Sequence, residues 1–276
     1  LHLQLQLSDV ELEQVVVRTG RNRYKVSILS PSLRQQTALL HLPQNIQVVT
    51  EGTLRDQQIF DMLEGVTRNV SGASRTASWD NHANITMRGS SITAFRNGMN
   101  VKMPWGPILE DMSMVDRIEF VKGPAGFMFA NGEPGGFYNV VTKKPTGAAA
   151  REIRFSMGSF DTYRTTLDLD GKLDDDGKLL YRMNVMGELK NSYREFDFNN
   201  RYSIVPVLKY AFNERTTLMM EYTYQHMKMA MIGSAYIFSP GKYEHLPRNF
   251  SLLEANLEPT EISEHSLFST FRHQLN

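Results

Sequence analysis

The chain has 276 residues, and its 30 basic and 30 acidic side chains cancel, so no global positive field points to nucleic acid or to an anionic membrane surface. It contains no cysteine, which excludes disulfides, thiolate nucleophiles and cysteine metal sites and leaves the redox compartment open. No run approaches the roughly 18 apolar residues of a membrane-spanning helix, an absence that says nothing against spanning β-strands, which hide in alternating patterns.

In the polar N-terminal stretch, Leu12, Glu13, Gln14, Val15, Val16 and Val17 form one isolated β-like run, readable as an ordinary edge strand. Residues 18–36, rich in Arg, Asn, Ser and Gln, read as a flexible tether. Organised structure is predicted from Leu42 and Pro43, with a strand over 45–50. Thr53 followed by Asp56 suggests a helix cap, and Leu54, Ile59, Met62, Leu63 and Val66 predict a helical apolar face. Ile85 and Met87 fit a strand that ends in a turn at Arg88 and Gly89, and 95–101 reads as a hairpin around Asn97 and Gly98, a pair suited to positive φ. Pro107 with Ile108, Leu109, Met112 and Val115 predicts a short helix.

The segment RIEFVKGPAGFMFANGEPGGFYNVVTKKP, from Arg117 to Pro145, carries the most information. Strands over 117–122 and 137–143 bracket a connector whose turns come from Gly123, Pro124, Gly126, Gly132, Pro134, Gly135 and Gly136. The paired Gly135 and Gly136 predict dihedrals or close approaches that a Cβ would block.

After Pro145 the period becomes two. Ile153, Phe155 and Met157 alternate with Glu152, Arg154 and Ser156, and the same alternation recurs over 163–170, 181–189, 202–212, 216–225 and 265–273. A soluble sandwich and a membrane barrel both give such strands; the connectors distinguish them. Tight turns at 174–177 and 213–215 alternate with longer connections at 190–201 and 226–262, the arrangement of a membrane barrel. Tyr163, Leu167, Tyr181, Met183 and Tyr222 should then face lipid, with Arg164, Arg182, Asn184 and Glu221 in the lumen. Pro206, in mid-strand, predicts a bulge or a donor-free position.

Taken whole, the run 117–145 resembles the end of the plug domain of TonB-dependent outer-membrane receptors, in the ferrichrome-receptor-like siderophore branch, and LPQNIQVV with DQQ resembles the start of that plug. The resemblance implies a small mixed α/β plug domain followed by the first strands of an antiparallel transmembrane β-barrel, of roughly 22 strands in a full receptor. Residues 1–41 are then a TonB box and flexible N-terminal segment, 42–147 the plug, and 148–276 the first six or so barrel strands, so the chain has room for only part of such a receptor. The sequence departs from the family pattern at Ser90, at Asn97 and at Phe129 with Ala130.

What the resemblance implies for function is an importer of ferric siderophores in the outer membrane of a Gram-negative bacterium. The run 12–17 becomes a TonB box, an extended peptide that adds to a sheet of the periplasmic energy-coupling protein TonB, itself worked by an inner-membrane motor complex. Arg75, Phe95, Arg96, Trp105, Tyr236, Phe238 and Tyr243 become ligand-binding candidates, and Arg88 and Glu119 candidates for a plug–barrel latch. No enzyme motif is present, no cofactor is implied, and the seven histidines show no metal-ligand spacing. The alternatives are a receptor of this kind for an oligosaccharide or a corrinoid, and a soluble β-rich binding module.

Overall fold

The computed structural model describes residues 23–35, 37–63, 65–78, 82–102, 110–126, 128, 133–230, 241 and 246–275. Its first part contains β1 (Asn45–Thr50), α1 (Glu51–Asp56), β2 (Ala73–Ser78), β3 (His82–Met87), β4 (Ser90–Ser91), β5 (Thr93–Arg96), β6 (Met99–Asn100), β7 (Val115–Lys122) and β8 (Gly136–Thr142). Five of these strands make one sheet in the order β1-β7-β8-β5-β6, in which β5 and β8 run parallel, and β2-β3-β4 make a smaller one. Both faces of β7 and β8 are covered. Ile118, Phe120, Tyr138 and Val140 pack with Val49, Leu54, Ile59 and Met62, while Val121 and Phe137 pack with Leu29, Leu33 and Phe95 on the opposite face.

The glycine-rich connector behaves as its composition predicts. Gly136 has φ +112°, and a Cβ there would lie 2.0 Å from the Val121 carbonyl oxygen, so no side chain fits. The Asn97–Gly98 hairpin joins β5 to β6 with φ of +50° and +79° at its two turn residues.

Two expectations need correction here. The helix ends at Asp56, and its N-cap is Thr50, whose Oγ accepts from Thr53 N at 3.3 Å. Gln58 takes φ +50°, which stops the helix, so Ile59, Met62 and Val66 reach the core from irregular chain and a 3₁₀ turn (Val66–Asn69). Asp56 bonds Arg23 and Tyr24 instead of capping. The described part of the tether is also not loose. Ile28 bridges Ala38, Leu29 and Leu33 are core residues, and Thr50 Oγ donates to the Arg23 carbonyl at 2.7 Å, so residues 23–35 and 37–41 pack as part of the plug-like domain.

The second part is a six-stranded antiparallel sheet in sequence order: β9 (Ala150–Gly158), β10 (Thr162–Lys172), β11 (Leu179–Leu189), β12 (Asn199–Asn213), β13 (Thr216–Met229) and β14 (Thr260–His273). One face is apolar and open, with Ile153 at 73% and Phe155 at 63% exposure, and the other carries Arg164, Asn184, Glu188 and Glu221, all buried. The phase read from the sequence is the phase observed. Strands β13 and β14 outrun their predicted limits because 226–229 stay paired with 260–263. Pro206 causes no bulge: β12 pairs with β13 through Ile204↔Tyr224, lapses for two residues and resumes at Val207↔Glu221 in unchanged register. The missing donor costs ladder bonds and leaves the strand path intact.

Candidate functional site

The plug-like domain sits on the polar face of the sheet, and charged side chains join the two. Arg96, at the end of β5 and 1% exposed, donates from Nε to Glu110 Oε1 at 2.8 Å and from Nη1 to Glu264 of β14 at 3.0 Å. Beside it Asn97 Nδ2 donates to Glu221 of β13 at 3.1 Å. Glu221 also accepts from Thr142 Oγ at 2.7 Å and pairs with Lys144. Lys143 reaches Asp168 and Glu51, both at 2.9 Å, and Asp168 is further held by Arg182 at 2.8 Å. Where the chain enters the sheet, Asp170 accepts from Thr146 N at 3.0 Å.

A second cluster lies toward the long connectors. The isolated bridge Asp61↔Asp111 sets two acids side by side. Arg164 Nη2 answers Asp111 at 2.7 Å with Phe60 under its guanidinium, Arg201 lies 3.6 Å from Asp61, and Glu188 bonds both arginines.

Burial and pairing compete differently at two neighbouring plug carboxyls. Burial lifts Glu110 above the ordinary carboxylate range, with Glu264 and Glu221 adding to the effect and Arg96 opposing it. Burial also works to raise Asp111, but Arg164, Arg201 and the Ser113 amide outweigh it and hold the group below its ordinary value. A buried pair adds little net stability over an apolar contact, whereas removing one partner costs about 3–5 kcal/mol. Such ties therefore hold register firmly while both partners are present. Asn184, Thr223 Oγ and Asp111 Oδ2 are buried without a hydrogen-bond partner among the described residues.

Above the acidic bridge, the loop 190–198 separates two cavities. One of about 470 Å³ is lined by Phe160, Arg194, Phe196, Phe198, Leu253 and Leu257. The other, about 350 Å³, lies between Asp61 and Leu63 of the plug-like domain and Lys190, Tyr193, Arg194 and Arg201. Arg194 and Arg248 approach the Tyr193 ring at 5.4 and 5.5 Å, and Asn249 ties the second loop to Glu195 at 2.8 Å. Aromatic faces beside guanidinium donors suit an amphipathic chelate with an oxygen-rich rim.

Of the predicted site residues, Arg75 is exposed on β2, opposite Ile85. Trp105, Tyr236, Phe238, Tyr243 and the run 12–17 lie outside the described residues. Phe95 and Arg96 are corrected: Phe95 is buried edge-on against Phe137 at 5.2 Å, and Arg96 is committed to Glu110 and Glu264, so neither faces an external ligand. The latch is corrected at Glu119. Arg88 is an exposed turn residue with φ +52°, and Glu119, 0% exposed, bonds Ser30, Arg117 and Asn139 within its own domain. Residues that do span the interface include Arg96, Asn97, Lys143, Lys144, Asp61 and Asp111 from one side and Asp168, Glu221, Glu264, Arg164 and Arg201 from the other. Their available signal was acid at inward positions of otherwise alternating strands, together with the Lys143–Lys144 pair at the domain junction.

Residues 38–137 match the TonB-dependent Receptor Plug Domain family. The chain is 29% identical to the metal-pseudopaline receptor CntO of Pseudomonas aeruginosa (strain UCBPP-PA14), over 98% of this chain and 39% of that protein. It is 25% identical to the ferrichrome outer membrane transporter/phage receptor of Escherichia coli K12, over 86% of this chain and 32% of that one. In fold it is similar to P. aeruginosa FpvA bound to heterologous pyoverdines, with a TM-score of 0.82, 24% identity, and coverage of 92% of this chain and 35% of that chain. The chain thus spans about two fifths or less of the curated relatives named here.

Proposed function

We propose that this chain, which carries the plug domain and first barrel strands of a TonB-dependent outer-membrane receptor, serves the energy-coupled import of a ferric siderophore. The carrying observation is a plug-like domain fastened to the polar face of the six-stranded sheet by paired, buried charges, an arrangement that in a closed barrel would block the lumen until those pairs rearrange. Iron arrives already chelated, as cargo, so the receptor needs faces and donors for the chelate and no metal ligands of its own. The cavities about Tyr193, Arg194 and Phe196 supply such groups, with Arg75 a further donor on the plug. The run 12–17 is the TonB box, with TonB and its motor complex as energy source.

Similarity to a metal-pseudopaline receptor favours a second cargo, a metal–pseudopaline chelate. Titrating the full-length receptor in detergent with metal-loaded and metal-free forms of hydroxamate and pyoverdine-type siderophores and of pseudopaline separates these readings. Tight binding of one ferric siderophore supports the first reading. Preference for metal-loaded pseudopaline selects the second, and binding of neither class in the loaded form overturns both.

A further inference from the structure

Glu119 lies on the β7 face that carries Val121, opposite the packed segment 23–35, and its carboxylate is fully buried. Ser30 N donates to Oε1 at 2.6 Å and Ser30 Oγ to Oε2 at 2.7 Å, with Arg117 Nε at 3.0 Å completing one side. On the other side Asn139 Nδ2 donates to Oε2 at 3.0 Å and also to Ser32 Oγ at 3.0 Å. The same Asn139 accepts, through Oδ1, the amide of Gly98 at 2.9 Å. Gly98 is the turn residue of the hairpin whose neighbours Asn97 and Arg96 hold Glu221 and Glu264 of the sheet. A Cβ at Gly98 would lie 2.7 Å from the Ser32 carbonyl oxygen, so the N-terminal segment also touches the hairpin directly.

We propose that Glu119 and Asn139 are positioning residues that couple the N-terminal segment to the ties between plug and barrel. Displacing Ser30 leaves a buried carboxylate short of two donors and takes Ser32 from Asn139, so Asn139, which already donates to Oε2 at 3.0 Å, can turn its amide further onto that carboxylate. When Asn139 turns, Gly98 loses its acceptor and the tip bearing Arg96 and Asn97 loosens from Glu264 and Glu221. Tension on the N-terminal segment would thereby release the plug from the wall at a defined point. This rests on the proposed energy-coupled import for its purpose, but the linkage itself is a property of the resting molecule.

The test uses the full-length receptor in detergent, without cargo or coupling protein, so that failure of the linkage is separable from failure of the transport reading. Amide exchange is resolved at Gly98 and Ser30, each of which donates to a member of the chain. Ser30→Ala and Glu119→Gln are expected to speed Gly98 exchange by roughly tenfold, the scale of one lost hydrogen bond. Ser30→Thr, which keeps the hydroxyl, should restore the wild-type rate. Leu33→Ala loosens the same segment through packing while keeping the Ser30 hydroxyl, and should move Gly98 far less than Ser30→Ala does. By reciprocity, Glu221→Gln in the strand wall should speed exchange at Ser30. The proposal is overturned if Gly98 ignores both Ser30→Ala and Glu119→Gln, if Leu33→Ala moves it as much, or if Glu221→Gln leaves Ser30 unchanged.

Discussion

Replacing Arg96 by methionine removes the cation that pairs with Glu110 among the described residues of the plug and a partner of Glu264 on β14. Both Arg96 and Glu110 side chains are 2% exposed, so water does not substitute for the lost partner. Orphaning a buried charge of this kind costs about 3–5 kcal/mol. Glu110 already stands above the ordinary carboxylate range through burial, and losing Arg96 pushes it further in that direction. A carboxyl whose folded value exceeds its unfolded value binds more protons when folded, so its unfavourable contribution grows as pH rises through that interval. The Arg96→Met defect should therefore be largest at alkaline pH and shrink as pH falls toward the ordinary carboxylate value. In Arg96→Met/Glu110→Met the buried pair is gone while Glu264 keeps its bond from Gln225, so the cost should fall clearly below that of the single mutant. Denaturant unfolding of the plug within the full-length receptor, followed by amide exchange across 93–122, measures all three forms. A single mutant within about 0.5 kcal/mol of wild type at every pH, or a double mutant as damaged as the single one, would refute the reasoning.

Three further outcomes follow from the same coordinates. Gly136→Ala places a methyl on the Val121 carbonyl at a left-handed φ, so the plug sheet should open at β7–β8 and become protease-sensitive while the barrel strands stay protected; an unchanged digestion pattern would contradict this. Leu208→Arg on the apolar face of β12 should cost about 2–4 kcal/mol in bilayer-refolding measurements, and an arginine at the inward neighbour Val207 should instead disturb plug packing without changing lipid insertion. Arg75→Ala should weaken ferric-chelate binding by roughly tenfold or more if Arg75 gives a charge-assisted hydrogen bond, and equal titration curves would remove it from the site.

The parts legible in sequence are those governed by short-range rules. Strand phase in β9–β14 follows from a period of two, and the Asn97–Gly98 and Gly135–Gly136 geometries follow from positive φ and from backbone contacts that exclude Cβ. Periodicity overextended α1 because Ile59, Met62 and Val66 are core residues spaced like a helix, while the left-handed Gln58 breaks it. The segment 23–35 looked like a tether because its polar residues mask Leu29 and Leu33, and because Ser30 and Ser32 serve a buried carboxylate and amide, which composition does not reveal. Sequence alone points Arg96 toward a ligand because its partners, 14 and 168 residues away, are invisible to local reading. The same distance in sequence hid Glu221 and Glu264 as the wall side of the plug's attachment.

Energy-coupled import through this plug can be measured as uptake of iron-labelled siderophore into cells carrying the full-length receptor with or without residues 12–17. The deletion should leave surface binding of the chelate intact and reduce internal iron to the level seen when the protonmotive force is collapsed. Equal internal iron in both strains, still sensitive to that collapse, would contradict it.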